Sequence, residues 1–225
     1  MTCVSFVAAI DGPAGAGKST LARKVASLLG MRYLDTGALY RAIAFSLYSR
    51  QVLPEEGPEM DAAIDDISVE ILEDGLLLNG KDVGKEIRSP LVDSIVSSYA
   101  ALPSVRKHLL SVQREQGKIG ALVADGRDMG TVIFPDANVK IFLTASDEVR
   151  AKRRLLELRE RGEDLSYEEV LQTIRERDRV DSERSAAPLR KAEGAIEMNT
   201  DALSIEEAVA ELASIISERK RSVTG

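Results

Sequence analysis

A single cysteine and a single histidine occur in 225 residues, and each scarcity closes off a class of protein. Cys3 has no partner, so a disulfide framework is excluded; within the apolar opening "CVSFVAAI" it reads as a buried strand residue of a reducing compartment, and the cytoplasm is the simplest expectation. His108 lies in the helical pattern "VRKHLLSVQRE" with neither cysteine nor histidine near it, which suits a helix face and not a metal site. Positive charge is short as well. Lys and Arg number 30 against 37 Asp and Glu, a net charge of -7, whereas binding to a polyanion is driven by clustered cations that release counterions, so a nucleic-acid partner is not expected. The opening apolar run is too short for a membrane span, has no basic region ahead of it and turns directly into a glycine-rich motif, so neither insertion nor secretion is indicated. There is no repeat, no low-complexity tract and no obvious apolar seam, and a monomer is expected.

What is present is a chain 44% hydrophobic and 30% charged, ample for a single domain over residues 1–225. Strand-like runs "CVSFVAAID", "RYLD", "GALVAD", "NVKIFL" and "AIEMNT" alternate with helix-like ones such as "STLARKVASLLG" and "GALYRAIAFSLYSR", the signature of an α/β fold with a parallel sheet between helical layers. Ser166 with Glu169 and Ser204 with Glu207 fit capping boxes, and Pro90 and Pro103 suit first-turn positions of helices. One stretch, residues 67–88, breaks the alternation: its short β-like runs are separated by "EDG" and "NGKD", and Asp-Gly and Asn-Gly suit tight turns, so it reads as a small antiparallel β insert. Such an insert is either a plain flap or a cover for substrate.

"GPAGAGKST" satisfies G-x-x-x-x-G-K-[ST] through Gly12, Gly17, Lys18 and Ser19. The small residues Gly12, Pro13, Ala14, Gly15, Ala16 and Gly17 let backbone N–H groups turn inward around a phosphate, while the helix that opens at Lys18, Ser19 and Thr20 points its positive end at the same anion. Lys18 would bridge β- and γ-phosphates and the Ser19 hydroxyl would ligate Mg²⁺. A strand-like run before the motif and an amphipathic helix after it supply the context that a nucleotide loop requires. The Asn-Lys-x-Asp signature of a switch GTPase is missing, and a motor or helicase needs far more chain, which leaves a kinase of small molecules.

A second anion site is suggested by "DTGALYRAIAF", in which Thr36 suits an N-cap, Gly37 allows close approach to a helix start and Arg41 lies one turn on; an ordinary capped helix with an exposed Arg would look the same. In "IRERDRVDSERSAAPLR" a helical advance of ~100° per residue puts Arg177, Asp181 and Arg184 on one narrow face, either a solvated salt-bridge face or a phosphate clamp. The segment before it, residues 146–165, carries Arg150, Lys152, Arg153, Arg154, Arg159 and Arg161, a concentration of cations that suits a lid closing over phosphates. At "DGRDMG", residues 125–130, an Arg and two Asp sit where an apolar strand ends, and charges so placed are paired or in use.

Taken together, "DGPAGAGKST", "DTGALYR", "IRSPLV", "DGRDMGTVIFPDA", "KIFL" and "RERDRVDSERSAAPL" resemble the bacterial cytidylate kinases, in the P-loop nucleoside monophosphate kinase group, almost end to end. The resemblance implies a P-loop NTPase-type three-layer fold with a five-stranded parallel sheet, an Arg-rich helical lid, and an enlarged insert on the monophosphate side. It also implies transfer from ATP, with Mg²⁺, to CMP or dCMP. Matching positions would assign Thr36, Arg41, Arg127 and Arg184 to the acceptor phosphate, Arg177 and Asp181 to the ribose region, and Ser97, Arg106 and Asp128 to cytosine. The catalytic cations would be Lys18, Arg127, Arg177 and Arg184, with Arg153 from the lid. Thr36 stands where Ser is common and keeps the hydroxyl; Ser19 stands where Gly is often found, which brings the loop closer to the general motif and strengthens Mg²⁺ ligation. A carboxylate at Asp128 would accept hydrogen bonds from the exocyclic amine of cytosine and face an acceptor on uracil. Asp125 would hold Mg²⁺ through water or, equally, make a structural hydrogen bond to the glycine loop. The rival readings are a kinase for UMP or dTMP, an alcohol kinase with Asp35 as base, and a nucleotide-binding protein without turnover, against which the two Arg-rich segments speak.

Overall fold

The computed structural model describes residues 5–72 and 75–224; Cys3 and the "ED" of the first expected hairpin turn lie outside the described residues. The strand β1 (Phe6–Asp11) is buried on both faces, which is why its sequence is an unbroken apolar run and not an alternation. Around it the expected strands form one sheet. With β2 (Arg32–Asp35), β6 (Ala121–Gly126), β7 (Val139–Thr144) and β8 (Ile196–Asn199), the order is β2-β6-β1-β7-β8, and every pairing is parallel.

Strand alternation sorts the side chains into two layers. Val7, Ala9, Leu122 and Ala124 face one core, whose helices are α2 (Thr36–Ser49), α3 (Pro58–Asp65), α4 (Pro90–Ala100) and α5 (Pro103–Gln116). Phe6, Ala8, Ile10 and Val123 face the other, covered by α1 (Lys18–Leu28) and α8 (Ile205–Thr224). The result is the expected three-layer α/β architecture.

The insert is a three-stranded antiparallel meander of β3 (Val69–Leu72), β4 (Gly75–Leu78) and β5 (Lys81–Asp82). Asn79 and Gly80, with φ of 48 and 75, make the two-residue turn that Asn-Gly suits. Leu76, Leu78, Val83 and Ile87 are buried in the same core as α2, so the insert is anchored to the domain.

The Arg-rich segment forms α6 (Asp147–Glu160) and the turn after it, but the unit that packs together runs on through α7 (Tyr167–Glu183). Ala151, Leu155 and Leu158 meet Val170 and Ile174 in a hydrophobic cluster separate from both core layers. Both capping boxes form, at Ser166–Glu169 and Ser204–Glu207, and Pro90 and Pro103 open their helices. His108 sits on α5. The cap of α2 differs from expectation: Asp35 is the N-cap, accepting from the Ala38 N–H, and Thr36 is the first helical residue. A carboxylate there gains from the helix dipole what a neutral hydroxyl cannot.

In register, Asp11 pairs with Gly126 and Asp35 with Asp125, so three strands end level with one another. Ligands of parallel α/β sheets bind beyond such carboxyl ends.

Candidate active site

The loop between β1 and α1 is shaped by positive-φ glycines. Gly12 has φ 151, and a Cβ there would lie 2.1 Å from the Leu143 carbonyl oxygen, so only glycine lets the loop leave β1 pressed against β7. Gly15 and Gly17, with φ of 74 and 85, carry the turn into α1. Lys18 is buried, its ammonium donating to the Pro13 carbonyl at 2.7 Å. Burial, with the Arg127 guanidinium nearby, pushes its pKa well below the usual lysine value. A phosphate arriving beside this group would relieve the strain on its charge.

Beyond the loop, an open cleft of about 380 Å³ is lined by Lys18, Ser19, Thr36, Arg41, Ser97, Arg106, Asp125, Arg127, Asp128, Arg177, Asp181 and Arg184, so the glycine loop and the second cationic group share one cavity. Its wall carries nine cationic side chains against six carboxylates, in a chain whose net charge is -7. Anions are therefore favoured in this cleft even though the protein as a whole is acidic.

The charges of "DGRDMG" are both paired and turned toward the cleft. Arg127 donates its Nε to Asp181 Oδ2 at 2.8 Å, and Arg106 donates to Asp128, whose side chain is only 2% exposed. Arg184 stands 3.7 Å from Asp128 and 3.6 Å from Asp181. It lies just past the end of α7, yet keeps the face expected of it. Burial would raise Asp181, but Arg127, Arg177 and Arg184 together hold its carboxyl below the usual range. Burial and Arg127 push Arg177 down to about 10, and burial and Arg106 push Arg184 down. The Nε of Arg177 and a terminal nitrogen of Arg184 are buried without a hydrogen-bond partner, donors that an anion could satisfy.

Asp125 takes the structural hydrogen bonds that were one of its two expected roles: Ser19 donates to Oδ2 at 2.8 Å and Tyr33 to Oδ1 at 2.7 Å. Burial and the Asp35 charge push it up to about 6. Ser19 and Asp125 nonetheless put two hard oxygen donors side by side next to Lys18, a donor set that fits Mg²⁺ shared with nucleotide phosphates. Thr36 donates to the Asp125 carbonyl at 2.6 Å, and Gly126 makes room, since a Cβ there would meet the Thr36 hydroxyl at 2.8 Å. Asp35 cannot serve freely as a base: one oxygen caps α2, and the other pairs with Arg88 at 3.2 Å.

Two placements correct the sequence reading. Arg153 donates to the side chain and carbonyl of Thr200 beyond β8 and does not line the cleft; Arg154 and Arg161 of the same segment do, because the helical advance turns them about a quarter of a revolution away from Arg153. Arg150 is consumed between the loop and α7, binding the Ala14 carbonyl at 2.8 Å and Asp178 at 2.5 Å.

Other residues of the site were not singled out from the sequence. Tyr40 lies under the Arg106 guanidinium, 5.1 Å from ring centroid to cation. Asp11 accepts the backbone N–H groups of Met129 and Gly130, both at 2.8 Å, and so fixes the turn that carries Arg127 and Asp128. Asp93, on α4, pairs with Arg41 and with the lid. For Tyr40 its place directly before Arg41 in "DTGALYR" was the only available hint.

Comparison with known proteins places these residues in context. A family model described as cytidylate kinase matches residues 8–218. The cytidylate kinase of Fervidobacterium nodosum is 49% identical over 213 residues, covering 95% of this chain and 97% of that one. That of Carboxydothermus hydrogenoformans is 47% identical over 215 residues, covering 94% and 97%. Among solved structures, an uncharacterized protein from Eubacterium ventriosum is similar with a TM-score of 0.52 at 10% identity, covering 95% of this chain and 99% of that one, a likeness of fold alone.

Proposed function

The chain belongs to the cytidylate kinase family, and we propose that its cleft carries the γ-phosphoryl of ATP to CMP or dCMP, giving ADP and CDP or dCDP. The observation that carries the reading is the joining of two anion cradles, glycine loop and arginine cluster, in a single cavity.

On this reading the loop residues Gly12 to Thr20 hold the donor phosphates, and Thr36, Arg41, Arg127 and Arg184 receive the acceptor phosphate. Arg177 and Asp181 border the ribose, and Ser97, Arg106 and Asp128 meet the base. The Arg106–Asp128 pair supports the last assignment, because it presents a donor and an acceptor side by side, the complement of the cytosine N3 and exocyclic amine. Uracil would place a carbonyl against the Asp128 carboxylate.

A phosphate monoester has its second pKa near ~6, so at pH 7 the attacking oxygen is already an anion and no general base is needed. The commitment of Asp35 to Ala38 and Arg88 agrees with that economy. What the site must do is hold two anions in line and neutralise the charge that shifts across the transferring group. Lys18, depressed by burial, regains a stable charge against the phosphates; Arg177 and Arg184, also pushed down by burial, do the same from the acceptor side, beside Arg127, whose charge Asp181 already stabilises. Ser19 and Asp125 would hold Mg²⁺ directly or through water, and the ion when bound neutralises charge on the phosphate oxygens. Closure of α6 and α7 over the cleft would keep water from the phosphoryl group. One chain supplies every residue named, which supports a monomer; among the described residues no helix is long and apolar enough to cross a membrane, and a cytoplasmic site of action is part of the same reading.

A coupled assay of ADP release with ATP, Mg²⁺ and a panel of CMP, dCMP, UMP, dTMP, AMP and shikimate tests this. CMP and dCMP should turn over fastest; preference for any other acceptor would refute the assignment.

A further inference from the structure

Asp93 carries no role in the reaction described above, yet its two oxygens join the two walls of the cleft. Oδ1 stands 2.5 Å from Arg41, on the helix of the acceptor side, and Oδ2 stands 2.6 Å from Arg154 and 3.5 Å from Arg161, both from the lid segment. Arg41 is held further by the Ile87 carbonyl at 3.2 Å. Arg41, Asp93 and Arg154 have side chains 17%, 16% and 24% exposed, so the pairs are partly withdrawn from water and are not the loose kind found on open surfaces. Although burial alone would raise it, Arg41 and Arg154 hold the Asp93 carboxyl below the usual range.

Three guanidinium groups converging without a carboxylate would repel one another and push the lid away from the acceptor helix. With Asp93 between them they stay together and keep a net positive charge that still attracts a phosphate. Glue between α4 and α6 alone would need neither three cations nor their exposure on the cleft wall.

We propose that Asp93 is a positioning residue: one carboxylate oxygen sets Arg41 for the acceptor phosphate while the other holds Arg154 over the cleft, tying lid closure to the acceptor side. The proposal rests on the reading of the cleft as a CMP kinase. Asp93→Asn keeps the shape and removes the charge. Without it the site gains net positive charge for CMP but loses the alignment of the lid, so kcat should fall about tenfold while KM for CMP stays within about twofold.

Because Asp93 acts through Arg154, the double variant Asp93→Asn/Arg154→Ala should be no slower than the slower single one. Asp93→Glu, which keeps the charge, should recover most of the lost kcat. The proposal is overturned if KM for CMP rises with kcat intact, if the two single losses multiply in the double variant, if Glu restores nothing, or if the Asn variant fails to fold at the assay temperature, since Asp93 would then be a structural residue. Failure of the unsubstituted protein to phosphorylate CMP would instead remove the functional reading itself, so the two failures are distinguishable.

Discussion

Replacing Asp128 with Asn should collapse the preference for CMP over UMP. The carboxylate is 2% exposed, paired with Arg106 and 3.7 Å from Arg184. In that dry setting it can only accept a hydrogen bond. Cytosine offers an amine to it, and uracil a carbonyl, so one mismatched edge contact separates the two bases by about 1 to 3 kcal/mol, roughly 5- to 150-fold in kcat/KM. An Asn amide can present either its oxygen or its NH₂, so the discrimination contributed by this contact should vanish. Stability is the competing concern. Removing one member of a buried ion pair costs about 3 to 5 kcal/mol, and Asn, which still accepts from Arg106, should fall at or below the low end. For 225 residues the unfolding entropy near the midpoint is about 0.5 kcal/mol per kelvin, so a loss of ~3 kcal/mol lowers the melting temperature by about 6 °C. The assay is ADP release at 25 °C with saturating ATP and CMP or UMP varied, beside a thermal melt. An unchanged CMP to UMP ratio in a folded variant would refute the role given to Asp128.

Arg184→Ala and Arg127→Ala should each lower kcat by at least about 100-fold, as loss of a preorganised phosphate donor does, while circular dichroism remains that of the parent; near-normal turnover at saturating CMP would remove either residue from the clamp. Asp11, pushed up to about 6 from 3.8 chiefly by burial, keeps its proton in the folded chain where the unfolded chain has lost it. Its contribution of about 3 kcal/mol is therefore complete below pH ~3.8 and lost as pH rises through about 6. Denaturant titrations of Asp11→Asn should show that fall between pH 4 and 6 flattened relative to the parent; identical slopes would contradict the assignment. Gly12→Ala would drive a Cβ to 2.1 Å from the Leu143 carbonyl oxygen, so the loop or β7 must move. We expect destabilisation beyond about 3 kcal/mol by the same melt, together with weakened ATP binding; a variant as stable as the parent would mean that the loop has slack.

Much of this molecule is written in local pattern. The strands of the main sheet could be read from short apolar runs, because a buried parallel strand admits little else, and the Asn79–Gly80 turn and both capping boxes follow from residues two or three positions apart. The glycine loop was legible for the same reason: Gly12, Gly15 and Gly17 answer a local demand for positive φ.

The errors came where direction, not type, was needed. Arg153 and Arg154 are neighbours with the same chemistry, yet one binds Thr200 and the other the cleft, because successive helical residues point ~100° apart and only the packing of α6 on α7 decides which face meets the site. Thr36 and Asp35 are both good caps; Asp35 takes the cap, while the Thr36 hydroxyl donates to the Asp125 carbonyl, 89 positions away.

By itself the sequence determined the layered α/β fold, the phosphate loop and the presence of a second cationic cluster, since each is encoded in contiguous residues whose preferences act over one turn or one strand. Only the tertiary structure decided that the clusters share one cavity, that Asp128 is answered by Arg106 over Tyr40, and that Asp93 stands between Arg41 and the lid. Those pairings join side chains from different elements, and their strength depends on burial and distance, quantities that arise when the layers close on one another.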